Sequence, residues 1–438
     1  MAAHVSSSTR NAALDNLRVV AMFLGLVTHG VLPYTASGLV GFPVRDHTHH
    51  LAADACYFAV HDFRMQLFFV LAGFAASALA ARRGARELAR NRVARVAIPL
   101  ILAILIVCPA LHFVFAHHAS LRGAVWDSAD VGGWIGPNFH LWFLYYLLMC
   151  CVPLLALFAL KERFPVRLTH AFDAIVRLIL RSRVKVPVAA ALTVPLMWDM
   201  STWWIDTPKG WAPELAVLAY YLGFFFVGAL LYRHRDALAG VGRRWRLHLA
   251  VANLVVLPVM LKLTISGNWV EEVVRGVPPA WLVVWKAVAI FLGGLYTWLM
   301  IGGLIGLFQQ HFTGTGPRWK YLADASYWCY LAGFPVQAVF QVVFALITLP
   351  MVVEFLLVNA LTFAVLLTTY ELCVRYTWIG LLLNGKRPER KLEVRAEPIV
   401  IATRVRVPEA PACRETVHRP EPTRANRYYV LSSSANSA

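Results

Sequence analysis

The chain has 438 residues, 59% of them hydrophobic and only 15% charged, with a formal net charge of +17 at pH 7. Mean hydropathy is +0.59, which excludes a soluble globular fold of this length and fits a polytopic membrane protein. The positive charge alone would suit nucleic acid, but most basic residues cluster between apolar stretches, so no nucleic-acid partner is expected.

About ten apolar stretches of membrane length follow one another, at roughly 14–35, 64–81, 96–116, 140–160, 187–204, 214–232, 247–265, 281–306, 323–346 and 351–375. The predicted fold is an all-α polytopic integral membrane protein of about ten transmembrane helices in the bilayer. Residues 1–13 form a polar lead-in. The first span carries on too long for the apolar core of a cleavable signal. Residues 14–376 form the membrane domain, and 377–438 read as a basic tail, mostly disordered from 385 onward. The seventh span is the weakest, because it trails into polarity at LKLTISGN. Gly293, Gly294, Gly302, Gly303 and Pro335 in the eighth and ninth suit close packing or local breaks.

The loops alternate in charge. ARRGARELARNRVAR holds six arginines, the segment 161–185 seven Lys or Arg, and RHRDALAGVGRRWR five. The intervening loops 36–63, 117–139, 205–213 and 266–280 hold one each: Arg45, Arg122, Lys209 and Arg275. The positive-inside rule makes the first set cytoplasmic. Both termini are then cytoplasmic, as an even number of spans requires. VRLILRSRVK in 161–186 is expected to form a short amphipathic helix on the anionic inner leaflet.

Seven cysteines are present. Cys108, Cys150, Cys151, Cys329 and Cys373 fall in or beside apolar stretches, and Cys56 is expected in an exposed outer loop. None forms a CxxC pair, so neither a disulfide framework nor a metal site is indicated.

The first span, LDNLRVVAMFLGLVTHGVLPY, carries Arg18 and His29. Their spacing is almost three helical turns, which puts both on one face about 16 Å apart along the axis. Arg18 then lies near the cytoplasmic surface and His29 toward the outer half. An ionisable group at that depth either packs against a polar neighbour or lines a polar cavity, and the second makes it functional.

Four further stretches could carry chemistry. In DFRMQLFFVLAGF, Arg64 either snorkels to the interface or lines the cavity of His29, with His61 and Asp62 beside it. In RVARVAIP, Arg92 and Arg95 share a helix face; they suit either positive-inside charge or a bidentate phosphate clamp near Arg18. In FHLWFLYYL, Trp142, Tyr145 and Tyr146 fit an interfacial aromatic belt, which leaves His140 unexplained. In DASYWCYLAGFPV, Asp324 and Ser326 read as helix caps.

Together these motifs resemble the acyltransferase 3 family of integral membrane acyltransferases, and within it the osmoregulated periplasmic glucan biosynthesis C branch, the glucan succinyltransferases. The resemblance rests on Arg18 and His29, on FRMQLFFVLAGF, on Arg92 and Arg95 before Ile98 and Pro99, on HLWFL at 140–144, and on the Ser-Tyr-x-x-Tyr-Leu stretch 326–331. It covers about 14–375. Two positions depart from the pattern: Ala72 stands where a Ser is frequent, and Gly333 where a His commonly precedes a Pro.

The resemblance implies an acyltransferase of the cell inner membrane, for groups other than aminoacyl groups, with no permanently bound cofactor. Acyl-CoA would be the donor, its phosphates meeting Arg18, Arg92 and Arg95. The acceptor would be a hydroxyl of an exported or periplasmic glycan. His29 would be general base, since an imidazole with a pKa of about 6.5 suits proton transfer near neutrality. Arg64 would stabilise the oxyanion or orient a succinyl carboxylate. Direct delivery or a separate glycan-synthesis partner is expected. The main alternative is a transporter of a glycan or small anionic solute; it would lack dependence on an acyl donor. A lipid-facing sensor or scaffold would need no phosphate clamp.

Overall fold

Long apolar runs become long helices. The computed structural model describes residues 12–39, 41–122, 138–160, 166–182, 184–198, 200, 204–205, 207–208, 210–266 and 280–385. Among them there is no strand, and nine helices are long and apolar enough to cross a membrane. These are α1 (Ala12–Val31), α2 (Leu51–Arg83), α3 (Ala85–Leu121), α4 (Trp142–Leu160), α7 (Leu215–Arg233), α8 (Trp245–Thr264), α9 (Ala280–His311), α10 (Pro317–Phe344) and α11 (Met351–Val374). Shorter helices are α5 (Val166–Arg181), α6 (Lys185–Met197) and α12 (Trp378–Asn384).

The stretch expected as a span at 187–204 is where the count differs. Its helix, α6, has 13 residues, short of the roughly 20 needed to cross hydrocarbon alone. The chain nonetheless reaches Trp204, whose ring meets Phe58 at 5.3 Å. Thr193 and Ala190 of α6 press on Gly294 of α9, where a Cβ would collide with the Thr193 hydroxyl. Gly294 is therefore a packing residue, as are Gly302 and Gly303 against His248 and Leu249 of α8. Neither α9 nor α10 breaks at its glycines or at Pro335.

The tightest approach joins α2 and α7. A Cβ on Gly73 would strike the Phe225 carbonyl, and one on Gly228 the Val70 carbonyl. Two small residues facing each other let the backbones touch, which is how membrane helices gain packing without a hydrophobic driving force.

Helix α2 begins well before the predicted 64–81. The His50 ring caps it by accepting from Ala52 N–H at 3.0 Å, and buried Asp54 in the first turn accepts from the Ala36 and Ser37 backbone and from the Ser37 hydroxyl. This fixes the 35–39 loop over the helix start. Cys56 therefore lies in α2, half-buried, and not in an exposed loop.

Two other expectations change. Helix α10 begins at Pro317, so Asp324 and Ser326 lie inside it and cap nothing; the Ser326 hydroxyl donates to Ala323 C=O at 2.9 Å. Trp142 and Tyr146 form no lipid-facing belt, for they are 6% and 0% exposed. Trp142 packs on Tyr221 at 5.2 Å, and the Tyr146 hydroxyl accepts from Glu214 N–H at 3.0 Å. Tyr145 donates to Trp211 C=O at 2.9 Å.

The helix expected at VRLILRSRVK is replaced by α5, which starts earlier, at Val166, and ends at Arg181 inside that stretch. Asp173 holds it to the end of α7: Arg233 donates two bonds to its carboxylate, at 2.7 and 2.6 Å, and His234 Nε2 stands 3.2 Å away. The bonds from Arg233 hold the Asp173 carboxyl below its ordinary range. Past Tyr376 the chain continues into α12, which docks on the start of α3. Lys209, Arg275, Cys413, most of the lead-in and the tail from 386 onward lie outside the described residues.

Candidate active site: two cavities end to end

Helix α1 presents Arg18, Met22, Gly25 and His29 in steps of four, three and four residues. That spacing makes one stripe along a helix face. The stripe runs through two cavities that enter the bundle from opposite ends.

The first, the arginine cavity, has a volume of about 710 Å³. Among the described residues Arg18, Arg92, Arg95 and Lys320 line it together with Asp15 and Asp324, so four bases face two acids. Ala12 and Gly385 line it as well, which places both ends of the described chain at one end of the bundle. Ala72 is in its wall.

Its two α3 arginines differ in what they hold. Residues Val93–Ala97 form a π turn, one residue wider than an α-turn. Arg95 Nη1 donates to the Leu381 and Leu382 carbonyls of α12 at 3.2 and 3.3 Å, and its guanidinium covers Gly385. The Arg95 carbonyl accepts from the Tyr327 hydroxyl at 2.8 Å. Arg92 lies beside the Cys151 thiol, and its buried Nε has no partner. Sequence spacing read them as an equal pair; the structure gives Arg95 to helix docking and leaves Arg92 to the cavity.

The second, the histidine cavity, has a volume of about 530 Å³. His29, His61, Arg64, His140, Tyr57 and Tyr330 line it. Among the described residues no carboxylate lines it, and Arg64 is its one permanent charge. Arg64 sits inside α2, not at an interface. Its guanidinium lies over Gly25, where a Cβ would collide with Nη1, and its buried Nε has no partner. Burying a cation costs several kcal/mol unless something neutralises it. Arg64 thus faces the cavity with an Nε that no protein group satisfies.

The His29 ring packs on Phe334 at 4.7 Å. Its Nδ1 is buried and unpartnered, which leaves Nε2 as the nitrogen open to the cavity. Arg64, His140 and His61 are near enough to act on it electrostatically. Gln341 donates to the His29 carbonyl at 2.8 Å and Gln337 to the Leu26 carbonyl at 2.9 Å, so α10 fixes the depth of α1.

His140, unassigned from sequence, lies opposite. Its ring meets Phe334 at 5.5 Å, its Nε2 is 3.3 Å from Leu331 C=O, and its own carbonyl accepts from Tyr330 at 2.6 Å. Phe139 before it has φ +44°, a conformation that costs a non-glycine residue of order 1–3 kcal/mol and tends to persist at functional sites. The aromatic run on either side of His140 hid this turn. His61 stacks on Tyr57 at 4.8 Å and stands 3.5 Å from buried Asp62.

Gly333, the departure noted in the sequence, faces α1. A Cβ there would come within 2.7 Å of Leu26. The room a larger side chain would need is taken by the close approach of α1, and Phe334 supplies the cavity wall. Among the described residues no group of three or more His, Cys, Asp or Glu is placed to hold a metal ion.

The pattern of the acyltransferase domain family, acyltransferase 3, matches residues 11–371. The chain is 24% identical over 394 residues to glucans biosynthesis protein C of Salmonella paratyphi B, covering 87% of this chain and 96% of that one. It is similar to the proteins of the same name from Salmonella dublin, at 24% over 394 residues, and Salmonella typhimurium, at 23% over 417, with the same coverage. No solved structure matches.

Proposed function

The chain belongs to the acyltransferase 3 family and is a multi-pass membrane enzyme that transfers acyl groups other than aminoacyl groups; from that premise we propose that it moves a short acyl group from cytoplasmic acyl-CoA to a hydroxyl of an exported or periplasmic glycan. The observation that carries this reading is the end-to-end pair of cavities, cationic at one end and histidine-lined at the other. The arginine-rich loops favour a cytoplasmic arginine end under the positive-inside rule, which suits an enzyme of the inner membrane.

The donor's phosphates would meet Arg18, Arg92 and Lys320, with Arg95 behind them; guanidinium binds phosphate bidentately. The acyl thioester would reach past Met22 to His29. With its proton on Nδ1, the His29 ring offers the Nε2 lone pair to the acceptor hydroxyl. The hydroxyl oxygen attacks the thioester carbonyl, the C–S bond breaks, and CoA leaves as the thiol. Arg64 stabilises the oxyanion or holds an acyl carboxylate. A dicarboxylic donor such as succinyl-CoA suits a cation that shares its cavity with no carboxylate among the described residues. The names of the relatives make a glucan the first acceptor to try.

The test uses purified protein in nanodiscs with succinyl-CoA and acetyl-CoA, with and without a periplasmic glucan, following free CoA and acylated product. Glucan-dependent release is expected, faster with the succinyl donor. His29→Ala should lower it by about 10²–10⁴-fold while CoA binding stays. Normal turnover by a well-inserted His29→Ala protein removes the base assignment, and absence of both CoA binding and turnover in the parent protein removes the donor.

A further inference from the structure

Among the described residues three side chains line both cavities: Met22 of α1, Phe68 of α2 and Phe143 of α4. The Phe68 and Phe143 rings are 5.4 Å apart and tilted by 52°. Phe143 is braced from behind by Phe69 at 5.3 Å and Tyr330 at 5.9 Å. Both phenylalanines are almost fully buried. Met22 closes the third side and is half-buried. It stands about 6 Å along the axis from Arg18 and about 10 Å from His29.

A membrane protein with cavities wide enough for water entering from both ends needs a barrier where they meet, or it conducts. An apolar constriction supplies one, because a narrow apolar neck does not stay wet. The two braced rings suit the rigid part of such a neck. Methionine suits the part that moves, being unbranched and adaptable. Cations stand on both sides, with Arg18, Arg92 and Lys320 below and Arg64 above. Any leak through the neck would therefore favour anions.

We propose that Met22, Phe68 and Phe143 form a collar that seals the two cavities from each other in the empty enzyme and opens around the extended thioester arm of the donor, so that these residues decide which donors reach His29. The donor half of this inference rests on the reading of the arginine cavity given above; the seal does not. A single unbranched arm fills such a neck, whereas an acyl group with bulk next to the thioester would not pass.

The experiment is chloride efflux from proteoliposomes loaded with a chloride-sensitive dye. The parent protein should be tight. Phe68→Ala/Phe143→Ala should raise efflux at least about tenfold, and CoA added to both sides should return it to the parent level. Phe63→Ala, a buried ring that lines neither cavity, should stay tight and controls for general loosening. A well-inserted double variant that is as tight as the parent overturns the collar. A leak that CoA does not slow, in protein that binds CoA, overturns the passage of the arm. If the parent protein binds no CoA, the donor reading fails and the leak alone judges the seal. Met22→Trp covers the case of a double variant that does not insert: it should keep CoA affinity within about twofold and lower transfer at least about tenfold, and unchanged transfer overturns the proposal.

Discussion

The two cavities solve opposite problems with the same residue type. At the arginine end, charge is plentiful and shared: four bases and two acids face the space, and Arg95 is spent on the carbonyls of Leu381 and Leu382. At the histidine end one guanidinium stands without a carboxylate. The lesson is that the count of arginines says little about where an anion will be bound most strongly. A cation already hydrogen-bonded to protein gains little from a ligand. A half-buried cation whose Nε finds no protein partner has more to gain from a ligand.

Removing Arg64 should therefore break the comparison most visibly. Arg64→Met should lower kcat/KM by about 10²–10³-fold and raise Tm slightly, because a half-buried charge with an unpartnered Nε is replaced by an apolar chain of similar length. A Tm that falls with activity would mean that Arg64 holds the fold together.

Gly25→Ala sharpens the same point from the other helix. Its methyl group must push the flexible Arg64 guanidinium aside, while alanine favours the helix. Activity should drop about tenfold with stability unchanged, since catalysis is sensitive to a displacement of about 1 Å. Titration of the donor at fixed acceptor will show whether the loss is in kcat.

At the arginine end the neighbours should part company. Arg92→Ala should raise the donor KM about tenfold, the worth of about one charged hydrogen bond. Arg95→Ala should leave KM within about threefold, and instead speed hydrogen exchange in Trp378–Asn384 by releasing α12. Equal effects on KM would restore the symmetric clamp.

The smallest effect concerns α5. The Asp173 carboxyl is held below its unfolded value by the bonds from Arg233. Its contribution is present above about pH 4, the unfolded carboxylate range, and is lost as pH falls through the lower folded value. Exchange in 166–181 should rise only in that acid window. Asp173→Asn should abolish the pH step at a cost under about 1 kcal/mol, as for other partly exposed pairs.

Much of the fold is legible in the sequence because apolar length and loop charge are additive, local quantities. The Arg18 and His29 stripe is legible for the same reason, since it is set by one helix. What escaped depends on partners. For Arg64 the sequence leaves interface and cavity even, because the helix start at Leu51 that sets its depth is fixed by a His50 cap and by Asp54 bonds to a distant loop. Trp142 and Tyr146 looked lipid-facing because nothing in FHLWFLYYL announces Tyr221 or Glu214. Arg92 and Arg95 looked alike because a π turn is invisible to a spacing rule. His140 has no role legible in the sequence, because its place depends on the turn at Phe139 and on Tyr330 of a remote helix. The walls and charges of the two cavities thus arise from tertiary contacts, and the stripe that threads them does not.

The docking of α12 bears on where the polypeptide can be cut. Judged by polarity, the membrane domain stops near Tyr376 and everything after it is dispensable. Yet Leu383, Asn384 and Gly385 form part of the arginine-cavity wall, Asn384 donates to the Asp324 carbonyl at 2.9 Å, and Arg95 is anchored on Leu381 and Leu382. A truncation at Tyr376 would free Arg95 and open the cavity's rim in one stroke. A truncation just after Gly385 would trim the tail and spare the floor on which the donor would rest.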